Sequence, residues 1–168
     1  RDRRDVECMD MEAGMLQFAD EQARKPNYLP WGTPWLDEGL MVEAGDYIIL
    51  GGYPSDGKTA LALSLAYIQA RSRRVGFFSL ETSTTKLFAR LCATVASISL
   101  KHVKRRTLTD DECDLLALKA DEIRSRDLHL VQASSMTVED IGAYARAKQY
   151  DVIYVDYLSL IQAQGRTE

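Results

Sequence analysis

The chain has 168 residues, 46% of them hydrophobic and 27% charged, a balance that suits one soluble globular domain. No apolar run reaches the length of a bilayer span, and no secretory leader follows Arg1-Asp2-Arg3-Arg4-Asp5. A net charge of −4 argues against a globally basic nucleic-acid binder, so any such contact needs a local patch or an assembly.

Residues 1–25 are mostly charged. Met11, Met15 and Phe18 fall at i, i+4 and i+7, which predicts a helix over about 9–24 with a narrow apolar face, a linker or docking helix rather than core. Pro26 and Pro30 end it. In Trp31-Gly32-Thr33-Pro34-Trp35-Leu36-Asp37, Thr33 can cap a short helix whose first position is Pro34. Asp46-Tyr47-Ile48-Ile49-Leu50 reads as a buried strand.

That strand leads into Gly52-Tyr53-Pro54-Ser55-Asp56-Gly57-Lys58-Thr59, which fits the phosphate-loop pattern Gly-x-x-x-x-Gly-Lys-Ser/Thr. A helix follows from Ala60, with Leu61, Leu65 and Ile68 as its expected stripe. Strand, loop and helix together argue against a chance match in a glycine turn. Gly52, Ser55, Asp56, Gly57, Lys58, Thr59 and Ala60 are the expected phosphate-binding positions, with the loop and helix N–H groups turned toward the anion. Lys58 is expected on the β- and γ-phosphates of ATP, and the Thr59 hydroxyl on Mg²⁺. Arg71-Ser72-Arg73-Arg74 closes the helix with cations at its negative end.

Val75–Leu80 is a further buried strand running to Glu81, and Leu87, Leu91, Val95 and Ile98 mark a helix over 84–98 capped by Thr82 or Ser83. Glu81 has two readings from the residues alone: a base for the attacking water, or an acid at the helix start. Lys101, Lys104, Arg105 and Arg106 form a basic cluster before Thr109-Asp110-Asp111-Glu112, a capping box. The helix after it carries the stripe Leu116, Ala120 and Ile123. Leu128–Val131 is a strand, Thr137-Val138-Glu139-Asp140 is another cap, and Val138, Ile141 and Ala145 line a helix face. Asp151–Asp156 is the last strand, an apolar run ending in an acid. Such an Asp, paired with a phosphate loop, is expected to hold Mg²⁺ beside Thr59. Strands that alternate with helices predict an α/β fold with a mostly parallel sheet covered on both faces, whose ligand edge lies at the strands' C-terminal ends. Cys8, Cys92 and Cys113 form neither a disulfide framework nor a metal pattern, so a cytoplasmic setting is expected.

These motifs resemble the RecA-like ATPase domain of the DnaB-type replicative DNA helicases. The likeness rests on the phosphate loop, on Phe77-Phe78-Ser79-Leu80-Glu81, on Arg106-Thr107-Leu108-Thr109-Asp110, on Val152-Ile153-Tyr154-Val155-Asp156-Tyr157-Leu158 and on the entry from Trp35-Leu36-Asp37 to Gly45-Asp46. It covers residues 27–162, with Thr82 where that family has Met. It implies a division at 26/27, residues 1–26 being the linker and 27–168 a RecA-like P-loop domain incomplete at its C-terminus. It implies ATP and Mg²⁺ as cofactors, Glu81 and Lys58 as catalytic groups, single-stranded DNA as partner, a ring hexamer and no membrane. It also implies a further strand between the Asp156 strand and the phosphate-loop strand, and later DNA-binding loops and an arginine finger. Without that strand the two banks of the gap would pair directly, recruit another chain or leave the domain marginally stable. The rival readings are a recombinase-like or clock-type regulatory ATPase, and a nucleotide-binding module without catalysis.

Overall fold

The computed structural model describes residues 8–24 and 28–157. The expected charged opening of the chain, Pro26, the 26/27 boundary and the end of the resemblance beyond Tyr157 lie outside the described residues.

Three five-residue strands, β1 (Val75–Ser79), β2 (Leu128–Gln132) and β3 (Val152–Asp156), form a sheet in the order β2-β1-β3. All pairing is parallel, with Ser79 level with both Gln132 and Asp156. β1 is central and buried at every position, which explains a strand with no polar alternation. Its successive aromatic rings point to opposite faces. Phe77 packs with Leu63, Ala66, Tyr67, Leu87 and Leu91 under helices α3 (Lys58–Gln69) and α4 (Thr84–Val95). Phe78 packs with Leu80, Ala133 and Ile141 under α7 (Val138–Lys148). Helices therefore cover both faces, as the alternating pattern predicts.

α1 (Met11–Ala23) is capped by Asp10, whose carboxylate accepts from Ala13 N at 2.8 Å, and it buries no residue. In α2 (Pro34–Gly39), Pro34 takes the first turn as predicted, but the Thr33 hydroxyl makes no capping bond and is buried without a partner. Asp37 instead ties this corner down by accepting from Trp31 N. Leu36 and Trp31 pack against Leu65 of α3, with Tyr154 beside them. A polar contact joins the same region, the Tyr154 hydroxyl donating to Oε1 of the buried Gln69 at 2.7 Å.

The basic cluster forms a short helix of its own, α5 (Leu100–Arg105), ahead of α6 (Asp110–Arg124). The capping boxes at Thr109 and Thr137 both form, each with its reciprocal bond. Leu116, Ala120 and Ile123 are half-buried on α6 as expected. On α7, Ile141 is buried but Val138, in the first turn, is exposed.

Three expectations are corrected. The Asp46–Leu50 run is not a strand of the sheet. Tyr47, Ile48, Ile49 and Leu50 stand exposed, because a strand exists through its partner and this run has none among the described residues. β3 is an edge strand among the described residues, with Ile153 exposed, so the two banks of the expected gap do not pair directly. The stripe on α3 is also different. Its buried residues are Leu63, Leu65, Ala66, Tyr67 and Gln69, while Leu61 is exposed. The helix is apolar almost all round, so its sequence has no unique phase and its neighbours choose the face.

Glu112 joins α5 to α6. Its carboxylate accepts from Thr109 N and Ser99 N at 3.1 Å and meets His102 Nδ1 at 2.9 Å. These bonds, the Thr109 amide first, hold its carboxyl down from the ordinary 4.5 to about 2. The folded state thus binds this proton less readily than the unfolded chain, so the stabilisation is full above pH 4.5 and is lost as pH falls from there toward 2. The expected result is a melting temperature that drops across this window, with a shallower drop in Glu112→Gln, measured by circular dichroism at a series of pH values. An equal drop in the variant rejects this role for Glu112.

Candidate nucleotide site

The C-terminal edge of the sheet gathers the residues singled out by sequence. α3 begins there at Gly57, which takes φ +91°, and Ser55 takes φ +71° just before it. A β-carbon added at Gly57 would meet nothing within 4 Å, but its left-handed backbone disfavours any side chain. No side chain caps α3, so the donors of its first turn are available to an anion. α4 starts at the same edge and also lacks a side-chain cap bond, whereas α7 has its capping box.

Lys58 is half-buried, and its Nζ donates to the carbonyls of Gly52 at 2.8 Å and Tyr53 at 2.5 Å. The ammonium therefore lies folded over its own loop. Thr59, the next residue, donates from Oγ1 to Asp156 Oδ2 at 2.9 Å, across 97 positions of sequence. Asp156 ends β3, and its backbone carbonyl accepts from Leu80 N at 2.8 Å. That bond extends the β1–β3 pairing one residue beyond the strand and places Glu81 immediately after it. Glu81 is exposed. It is not the helix cap, since Ser83 holds that position. The turn is held instead by Ser79, whose buried hydroxyl accepts from Thr82 N at 3.1 Å. Ala60, the last of the expected phosphate-binding positions, lies in the first turn of α3.

The donor set fits a magnesium nucleotide. Mg²⁺ prefers hard oxygen ligands and takes one or two from protein, leaving the rest to water and phosphate. The Thr59 hydroxyl and the Asp156 carboxylate are such a pair. Among the described residues no group of three or more His, Cys, Asp or Glu could hold a metal. No described helix is long and apolar enough to cross a membrane.

The family model of the DnaB-like helicase C-terminal domain matches residues 32–168. The chain belongs to that family. The replicative DNA helicase DnaB of Treponema pallidum is 34% identical over 126 residues, covering 71% of this chain and 29% of that protein. The replicative DNA helicase DnaB of Geobacillus stearothermophilus is 30% identical over 147 residues, covering 83% of this chain and 32% of that protein. The chain thus spans about a third of the length of such relatives. Among solved structures, a DnaB-like replicative helicase described with its primase interactions superposes with a TM-score of 0.81 at 23% identity, over 95% of this chain and 42% of that one. The DnaB-type, RecA-like fold expected from the motifs is therefore the fold of this chain.

Within this DnaB-like domain, two features of the site had little signal in sequence. Ser79 is the buried hydroxyl that shapes the turn carrying Glu81; its one clue was a polar residue at the end of an apolar strand. Asp56 turns back on its own loop, its carboxylate accepting from Tyr53 N at 2.8 Å. The motif placed Asp56 among the expected phosphate-binding positions, but nothing in it signalled this turn of the side chain. Arg90 is half-buried on α4.

Proposed function

We propose that this DnaB-like domain binds ATP with Mg²⁺ and hydrolyses it as the motor core of a replicative DNA helicase. The observation that carries the reading is the 2.9 Å contact of Thr59 Oγ1 with Asp156 Oδ2. It joins the end of the phosphate loop to an acid ending a parallel strand, at the edge where such sheets bind ligands.

In this reading the phosphates lie against the N–H groups of Gly52, Ser55, Asp56 and Gly57 and the first turn of α3. Lys58 exchanges the Gly52 and Tyr53 carbonyls for the phosphate oxygens, which are stronger, charged acceptors. Thr59 and Asp156 would hold Mg²⁺, which neutralises charge on the β- and γ-phosphates when bound. Glu81, exposed beside Asp156 and not used as a cap, accepts a proton from the water that attacks the γ-phosphate. Ser79 positions it by fixing the turn.

The linker role of residues 1–26, the ring hexamer, single-stranded DNA as the track and a cytoplasmic setting belong to the same proposal. α1 suits the first of these, being a capped helix that buries none of its own residues. The test is steady-state ATP turnover with and without single-stranded DNA. In a full-length helicase carrying this domain, turnover that rises with DNA is the expected result, whereas the 168-residue chain by itself should hydrolyse ATP poorly, if at all. In the full-length protein, nucleotide binding without turnover in either condition would return the chain to a binding module, and turnover indifferent to DNA would favour a regulatory ATPase.

A further inference from the structure

The phosphate loop contains its own anion. Asp56 Oδ2 accepts from the Tyr53 N–H at 2.8 Å, and Asp56 N donates back to the Tyr53 carbonyl at 3.3 Å. The carboxylate folds back against the loop: a β-carbon added at Gly52 would stand 3.4 Å from Asp56 Oδ2 and 3.4 Å from Lys58 Cγ. One loop amide is thus satisfied by a carboxylate, and the Lys58 ammonium is satisfied by loop carbonyls at Gly52 and Tyr53.

We propose that Asp56 weakens nucleotide binding by its charge: an acidic side chain held on the loop by the Tyr53 amide, it opposes the charge of the incoming phosphates. This rests on the reading of the loop as a nucleotide site. The carboxylate repels a polyphosphate bound within a few ångströms of it. Asp56 is exposed, so the repulsion is screened and depends on salt. The consequence is a loop that closes on itself when empty and releases nucleotide more readily than a neutral residue at position 56 would allow. Asp56 is a positioning and affinity-setting residue; nothing in this assigns it a step in the chemistry.

The experiment compares the 168-residue chain with its Asp56→Asn variant. A fluorescent ATP analogue is titrated with Mg²⁺ at about 50 mM and about 500 mM salt, a range over which exposed charges become screened. Asn keeps an acceptor oxygen for Tyr53 N and removes the charge. The expected result is affinity about threefold to tenfold higher in the variant at low salt, the scale of one screened like-charge contact. The gain should shrink to within about twofold at high salt. An unchanged affinity at both salts overturns the proposal and leaves the contact a scaffold of the loop. A weaker affinity overturns it too, and makes the carboxylate a ligand of the bound complex. A gain that persists undiminished at high salt rejects the electrostatic argument. Wild-type binding with no gain in Asp56→Asn sinks this inference alone, whereas no binding by either chain sinks the nucleotide reading and this inference with it. Matching far-UV circular dichroism of the two chains shows that the comparison is between folded proteins.

Discussion

Replacing Lys58 with Ala lowers affinity for a fluorescent ATP analogue about 10- to 100-fold, the range expected when a charged hydrogen bond of roughly 1.5–3 kcal/mol is removed. Thermal unfolding should stay close to that of the unsubstituted chain. The reason is in what Lys58 touches. Its ammonium bonds to the Gly52 and Tyr53 carbonyls, exposed loop groups that water can satisfy in its place. Its backbone starts α3, where Ala is a good helix former. Binding should therefore fall while the fold remains. Equilibrium titration beside a melting curve decides the matter. Unchanged affinity would reject the phosphate-loop assignment, and a collapsed melting curve would make Lys58 a structural residue.

In a full-length helicase carrying this domain, Glu81→Gln should keep nucleotide binding and lower ATP hydrolysis about 10²-fold or more, the usual contribution of a positioned base. Gln keeps the size and one acceptor oxygen but cannot take the proton. Because Ser83, not Glu81, occupies the cap of α4, the substitution leaves the helix start intact. The turn itself depends on Ser79 and Thr82, which the variant retains. Single-turnover hydrolysis measured with binding separates the two effects. Hydrolysis at the unsubstituted rate would remove Glu81 from the chemistry, and loss of binding would show that it helps to hold the nucleotide.

Local signals were legible wherever one short stretch carries the whole cause. The capping boxes at Thr109 and Thr137 need only a hydroxyl and an acid three residues apart, and both form. The apolar strands Val75–Ser79 and Val152–Asp156 pair in parallel under helices, the setting their unbroken apolar runs predict. The Gly-Lys-Thr at the head of α3 follows from the pattern and its spacing alone. Signals failed where the cause lies elsewhere in the chain. Tyr47-Ile48-Ile49-Leu50 has strand composition, yet its backbone lies outside the sheet and its side chains are exposed. Composition can favour an extended backbone but cannot supply its hydrogen-bond partner.

By itself the sequence determined the kind of site: a glycine loop with its lysine and threonine, an acid at the end of an apolar strand, and the helix-strand alternation that makes a parallel sheet. These depend on residue type and spacing, which local backbone preferences translate directly into structure. Only the tertiary structure decided which residues meet. It brought Thr59 within 2.9 Å of Asp156, chose Leu63, Ala66 and Tyr67 over Leu61 as the buried face of α3, and turned Asp56 back onto the Tyr53 amide. The physical reason is that a contact between distant positions, or the phase of a helix apolar on all sides, is selected by the packing of the whole domain, where the neighbours rather than the local pattern set the lowest free energy.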